Sequence, residues 1–342
     1  MPSAPLPALH DVLDAVRVVR VPLRTRFRGV SEREVALVSG PVGWGEFGAF
    51  LEYGDAEAAA WLASALEAGW LGWPEPVRAA VPVNATVPAV PPDQVEEILS
   101  RFDAWDSVKV KVAESGQSLP EDVARVAAVR AVVGPNAWIR VDANGAWSLT
   151  EALEAIRSLS RYGLEYVEQP CATVAELREL RVLLAAVKVD VPIAADESVR
   201  KAADPLLVAR EQAADLIVVK AAPLGGVRRA LAIVAESGLP AVVSSALDTS
   251  VGLAAGAALA GALPHLEHDC GLGTAALLAA DVTRSPLLAQ DGEIVVRPVS
   301  ANLALLDELG AGEERTAWWR ERVTRCYEPA MALLEGNPPS LG

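Results

Sequence analysis

Cysteine is scarce. The three present, Cys171, Cys270 and Cys326, lie far apart and form no CxxC pair. That excludes a disulfide scaffold and a cysteine-ligated zinc site, and it fits a reducing compartment. Histidine is equally scarce, and His10, His265 and His268 read as structural or surface residues. No apolar run is long enough for a bilayer. The alanine-rich stretch 251–263 has about 13 residues, against about 20 for a span, and reads as a buried helix. Residues 1–10 have neither a basic start nor an apolar run, so no secretory leader is expected and the cytoplasm is the expected location. Positive charge is also short: 30 Lys and Arg against 45 Asp and Glu give a net charge of −15 and a pI near 4.8. Such a surface repels phosphate backbones, so nucleic acid is excluded as a partner. No GxGxxG follows the first strand-like run, which argues against an open dinucleotide-binding sheet.

What is present is enough apolar material for a large core: 52% hydrophobic residues in a chain of 342, with 22% charged. Apolar, β-branched runs recur at 81–87, 107–112, 137–141, 164–167, 191–194, 216–219, 241–243 and 266–268. Their spacing of about 26 residues accommodates a strand, a helix and two short loops. Eight such parallel, right-handed units close into a barrel, so the expected fold is α/β, a (β/α)7β-type TIM barrel. Helix punctuation agrees. Ser148 and Glu151 have capping-box spacing, Pro120 suits a first turn before a stop at Gly134, and Gly238 with Pro240 closes a helix that begins after Gly226. Before residue 80 the pattern changes to short strands at 16–21, 34–38 and 43–46 and a helix at 56–68. The expected domains are an α+β capping domain at 1–80, the barrel at 81–300, and a tail at 301–342 that packs back on the cap.

In a barrel the chemistry sits at the C-terminal strand ends. Three carboxylates, Asp142, Glu168 and Asp196, occupy three consecutive strand ends and would converge on one point. Uncompensated, they would repel one another. A hard divalent cation resolves this, and magnesium suits an all-oxygen donor set, with manganese as the alternative. Lysines flank the triplet. Lys109 and Lys111 are two apart and share one strand face, and Lys220 ends the sixth strand. Removing a proton α to a carboxylate needs this arrangement. The metal meets the charge that develops on oxygen, and a lysine brought well below its usual value of about 10.4 takes the proton.

The motifs KVK at 109–111, VDANGAW at 141–147, VEQP at 167–170, DES at 196–198 and VVKAAPLGG at 218–226 resemble those of the enolase superfamily, specifically its muconate-lactonizing subgroup. The resemblance spans nearly the whole chain. It implies that Asp142, Glu168 and Asp196 are the metal ligands, that Lys111 is the acid/base, and that Lys220 faces it. The segments 43–54 and 244–253 are similar to those of the o-succinylbenzoate synthase family, with Asp248 where that family usually has Glu. This implies a lyase of menaquinone synthesis. Its substrate is a small carboxylate, 2-succinyl-6-hydroxy-2,4-cyclohexadiene-1-carboxylate, dehydrated on one face through an enediolate.

Lys109, Asn144, Ser244 and Ser245 are expected substrate contacts. The basic loop 24–29 closes over the site in this family, so Arg26 and Arg28 are expected to meet the succinyl carboxylate, the alternative being a solvated hairpin. Trp147 is expected to line the pocket. The competing readings are an N-acylamino acid racemase or dipeptide epimerase on the same scaffold, and a non-catalytic ligand-binding barrel. The segment His268-Asp269-Cys270 lacks the Asp-x-Asp usual in dipeptide epimerases, and no ligand or lysine is missing as it would be in a non-catalytic relative.

Overall fold

The computed structural model describes residues 6–27, 29–201 and 204–336. The N-terminal part opens with α1 (Leu9–Ala15) and an antiparallel meander of β1 (Val16–Phe27), β2 (Val30–Ser39) and β3 (Trp44–Phe47). Alternation along β1 and β2 gives this sheet two buried faces. Val19, Val21, Val35 and Leu37 join the large core, while Val18, Ala36, Val38 and Phe47 join a second one. The second core is shared with α2 (Asp55–Leu66). Gly45 of β3 lies so close to α2 that a Cβ there would overlap the Ala65 carbonyl.

The central sheet follows. β4 (Ala80–Pro82) stands apart from it. β5 (Ala85–Val87), β6 (Ser107–Lys111), β7 (Trp138–Asp142), β8 (Leu164–Glu168), β9 (Ile193–Ala195), β10 (Leu216–Val219) and β11 (Ala241–Val243) are parallel neighbours in sequence order. The connecting helices are α3 (Val95–Leu99), α4 (Leu119–Val133), α5 (Leu149–Leu159), α6 (Val174–Ala186), the short α7 (Glu197–Arg200) and α8 (Leu207–Arg210), then α9 (Val227–Ser237) and α10 (Ser250–Ala262). Capping boxes start α4, α5 and α6, with Ser118, Ser148 and Thr173 backbone nitrogens donating to Glu121, Glu151 and Glu176. Pro120 and Gly134 bracket α4, and Gly238 ends α9 in a left-handed turn, as the sequence led one to expect. α10 is apolar all round and buried accordingly.

Strand parity decides which side chains face inward. Val167, Ile193, Ile217, Val219 and Val243 pack outward against the helices in the large core. Tyr166, Ala194, Leu216, Val218 and Val242 form a separate inner cluster. The residues two positions after inner ones, among them Glu168, Asp196, Lys220 and Ser244, therefore also face inward.

The expected eighth strand at 266–268 is not there. The chain pairs a few residues later instead, through parallel bridges Val83–Cys270 and Ser244–Gly271. Only Leu266 in the expected run is apolar, and His268 turns its ring to Glu165. Small residues fit between the two sheet edges: a Cβ on Gly271 would lie 2.5 Å from Ser244 Oγ. The first expected run, 81–87, is also divided. β4 pairs antiparallel with β12 (Glu293–Val295), and only β5 enters the parallel sheet. After β12 come α11 (Leu303–Glu308) and α12 (Glu313–Glu335). α12 lies along α2 and brings Trp319, Val323, Cys326 and Ala330 into the second core. Trp319 Nε1 and Arg315 Nη2 both donate to Glu34 of β2, at 2.7 and 2.6 Å. Among the described residues no helix is long and apolar enough to cross a membrane.

Candidate active site

The register aligns Lys111, Asp142 and Glu168 across β6, β7 and β8. Asp196 follows β9, Lys220 follows β10, and Ser244 and Ser245 follow β11. All three carboxylates are fully or almost fully buried. Lys111 Nζ donates to Asp142 Oδ2 at 2.5 Å and to Asn144 Oδ1 at 2.7 Å. Lys109 Nζ lies 3.1 Å from Glu168 Oε2 and 3.7 Å from Asp142 Oδ2. Lys220 Nζ donates to Asp196 Oδ2 at 2.5 Å. Two residues that follow the carboxylates have left-handed backbone, Asn144 at φ 48° and Gln169 at φ 38°. Such conformations are costly for residues other than glycine and concentrate at functional sites. Gln169 is anchored there: its Oε1 accepts from Asp196 and Ser198 backbone nitrogens at 2.9 and 3.1 Å, and its Nε2 donates to Ser198 Oγ at 2.7 Å.

Electrostatics separates the groups. Burial, then the charge of Asp142, pushes Glu168 up to about 7. Burial acts the same way on Asp142, but the Lys111 and Lys109 charges outweigh it and hold that carboxyl at about 2. Asp196 is held below its usual range because Arg200 and Lys220 outweigh burial. Burial opposes charge on Lys109 too, yet Glu168 and Asp142 raise it, so it stays an ammonium. Lys220 moves the other way, because burial and nearby Arg200 outweigh Asp196.

As the side chains lie, no three His, Cys, Asp or Glu groups among the described residues are gathered closely enough to hold a metal ion. Each carboxylate is drawn instead to an ammonium, because buried negative charge takes the nearest counter-charge. The donor set nevertheless fits a hard divalent cation. It offers three buried carboxylates on adjacent strands, one of them left prone to carry a proton, and Glu197 Oε2 beside them is buried without a hydrogen-bond partner.

Lys109, Lys111, Lys220 and, of the three carboxylates, Asp142 border a small cavity of about 30 Å³, also lined by Phe27, Thr86, Gly271 and Thr274. That is room for about one water. Its roof is the β1–β2 hairpin: Phe27 is buried, with Lys111 Nζ 5.5 Å from its ring centre. Arg24 Nε donates to the Leu278 carbonyl and Arg101 Nη1 to Thr25 Oγ1, holding the hairpin down. A larger groove, of about 570 Å³ beside Val182 and Leu207, carries an exposed ion pair of Arg178 with Glu211 rather than lysines facing buried carboxylates.

Of the expected contacts, Lys109, Asn144, Ser244 and Ser245 line the cavity. Arg26 does not. It is exposed on the hairpin, where strand alternation turns Phe27 inward. Arg28 lies outside the described residues. Trp147 also misses the cavity and is packed into the large core. Three buried residues of the site were not singled out from sequence. Arg140 sits one layer below Asp142 and binds Glu165, Asn84 and the Asp269 carbonyl, at 2.5, 3.1 and 2.6 Å. Its parity with Asp142 could have found it. Gln169 stands inside a quoted motif. Arg200, on Asp196, had no sequence signal.

The enolase C-terminal domain-like family matches residues 93–302, and the enolase N-terminal domain-like family matches 18–69. The chain belongs to the enolase superfamily. It is 55% identical over 331 residues to an o-succinylbenzoate synthase of Mycobacterium ulcerans, covering 96% of this chain and 98% of that one. It is 55% identical over 323 residues to the o-succinylbenzoate synthase of Mycolicibacterium smegmatis, covering 94% and 98%. Among solved structures it resembles a muconate lactonizing enzyme of Pseudomonas fluorescens complexed with muconolactone, at a TM-score of 0.74, 23% identity, and coverage of 86% and 97%. It also resembles the L-Ala-D/L-Glu epimerase of Bacillus subtilis, at a TM-score of 0.69, 24% identity, and coverage of 84% and 96%. At those identities the structures speak for the fold alone.

Proposed function

We propose that this chain catalyses the syn-dehydration of 2-succinyl-6-hydroxy-2,4-cyclohexadiene-1-carboxylate to o-succinylbenzoate, a step of menaquinone synthesis in the cytoplasm. The observation that carries the reading is the near-full-length relation to enzymes of that name. The opposed lysines around three buried carboxylates support it chemically. In this reading Asp142, Glu168 and Asp196 hold magnesium, or manganese in its place. The bound ion supplies Lewis-acid charge to the substrate carboxylate. Lys111, as the free amine, takes the α-proton. It then returns that proton to the hydroxyl as the C–O bond breaks, so water leaves and Lys111 is an amine again. Lys220 stays on the other face; burial lowers it, but its ion pair with Asp196 favours the ammonium, the cation that stabilises the enediolate. Lys109, Asn144, Ser244 and Ser245 contact the substrate. The parallel sheet is read as a (β/α)7β barrel at 81–300, closed through residues 270 and 271, with the cap at 1–80 and the tail at 301–342 returning to it.

The cavity is too small for this substrate unless the β1–β2 hairpin lifts, which fits a roof held by a few polar ties. The test is an absorbance assay of the diene, run beside a racemisation assay with N-acylamino acids. Turnover of the diene is expected. Efficient racemisation without it would overturn the assignment.

A further inference from the structure

Arg200 has no part in that acid–base scheme, yet its guanidinium is spread over three partners. Nε donates to Asp196 Oδ1 at 2.9 Å, Nη2 to Glu197 Oε1 at 2.7 Å, and Nη1 to the Tyr53 phenol oxygen at 3.3 Å. Asp196 and Glu197 belong to the central sheet's rim. Tyr53 belongs to the N-terminal part, where its ring meets Phe50 at 5.5 Å and Trp61 at 6.3 Å. Lys201 repeats the attachment. Its Nζ stands 4.4 Å from the centre of the Tyr53 ring and 3.7 Å from Glu57 of α2. One short segment thus grips a carboxylate of the site on one side and the aromatic core of the cap on the other.

The grip is specific in its geometry. Arg200 takes Oδ1 of Asp196 and leaves Oδ2, the oxygen that meets Lys220, facing the site. A planar guanidinium can hold two carboxylates and a phenol at fixed angles, which an ammonium cannot. Groups that orient metal-binding carboxylates in this way set metal affinity.

We infer that Arg200 is a positioning residue that fixes Asp196 for metal binding and, through Tyr53, makes that binding depend on the seating of the cap. The inference rests on the reading of Asp142, Glu168 and Asp196 as metal ligands. It gives the cap a role beyond roofing the cavity, because loosening Tyr53 from the rim also loosens a ligand.

The experiment is calorimetric titration of magnesium into the metal-stripped full chain. It compares the unaltered protein with Arg200→Gln, Arg200→Lys, Tyr53→Phe and the Tyr53→Phe/Arg200→Gln double variant. Arg200→Gln is expected to weaken binding by about 10–100-fold. Arg200→Lys should recover part of the loss, since it keeps a charge on Asp196 and loses the fork. Tyr53→Phe should weaken binding severalfold and add nothing in the Arg200→Gln background, because both act through one network. Should Arg200→Gln fail to fold, Tyr53→Phe and Arg200→Lys decide the matter alone. Magnesium affinity unchanged in these variants, or losses that simply add, overturns the inference and leaves the metal reading standing. An unaltered chain that binds neither magnesium nor manganese overturns both.

Discussion

Lys109 and Lys111 sit two residues apart on one strand, yet their surroundings suit them to different work. Lys109 is buried against Glu168 and Asp142 and is held as an ammonium. Lys111 lies nearer the cavity mouth, between Asp142, Asn144 and the Phe27 ring. Lys111→Ala is therefore expected to lose about 10²–10⁴-fold in dehydration rate with its fold intact, the usual worth of a general base. Lys109→Ala should lose less. It should also raise the kinetic pKa of the base, because a neighbouring positive charge has gone. Rate–pH profiles of both variants check this, and an active Lys111→Ala beside a dead Lys109→Ala would exchange the two roles. At this scale the legible residues were those on strands, where period-two alternation fixes the side of the sheet. Trp147 packs into the large core rather than against the cavity, because post-strand side chains take their direction from packing, which sequence does not state; Arg26 is exposed because it alternates with inward-facing Phe27 at the end of β1. Arg200 reaches the site from a helix of four residues, too short to leave a pattern.

The seam between β5 and β11 is where an element departs most from its sequence signal. A strand was expected at 266–268, but pairing occurs at Cys270 and Gly271. Hydrophobic runs report burial, whereas this seam is set by size. Gly271 is the residue that lets the chain pass beside Ser244. Gly271→Ala would drive a methyl to within 2.5 Å of Ser244 Oγ. It is expected to destabilise the fold by about 1–3 kcal/mol, the usual cost of overpacking, and to raise KM for the diene, because Ser244 lines the cavity. Urea denaturation and steady-state kinetics measure the two effects. A variant as stable and as active as the parent would show that the seam has slack. The helices were more legible than this seam, since their caps are local: Ser148 with Glu151 needs only four residues to declare itself.

At the scale of the whole molecule, the cap is tied to the helical layer by a buried acid. Glu46 of β3 accepts from the Thr249 backbone nitrogen and hydroxyl at 3.1 and 2.5 Å, at the start of α10. Burial, then the charge of Asp248, pushes Glu46 up to about 8. A carboxyl raised in the folded state binds its proton more tightly there than in the unfolded chain, so its stabilising effect is present at low pH. That effect fades as pH rises from about 4.5 to about 8. The unfolding free energy of the parent, from urea denaturation, should therefore fall over that window by more than that of Glu46→Gln, with a difference on the order of a few kcal/mol. Parallel pH dependence in the two proteins would remove Glu46 from the account. Such a contact was invisible in sequence, since residues 46 and 249 are distant and only the assembled cap and sheet bring them together. The alternation of strands and helices from β6 to β11, by contrast, was legible, because each βα unit repeats the same local pattern. The measurement that tests the account most directly is dehydration of the diene by metal-stripped protein during titration with magnesium. The expected result is no turnover without metal, full recovery on addition, and no recovery in Asp142→Ala, Glu168→Ala or Asp196→Ala. Full activity in protein proven metal-free would contradict the account.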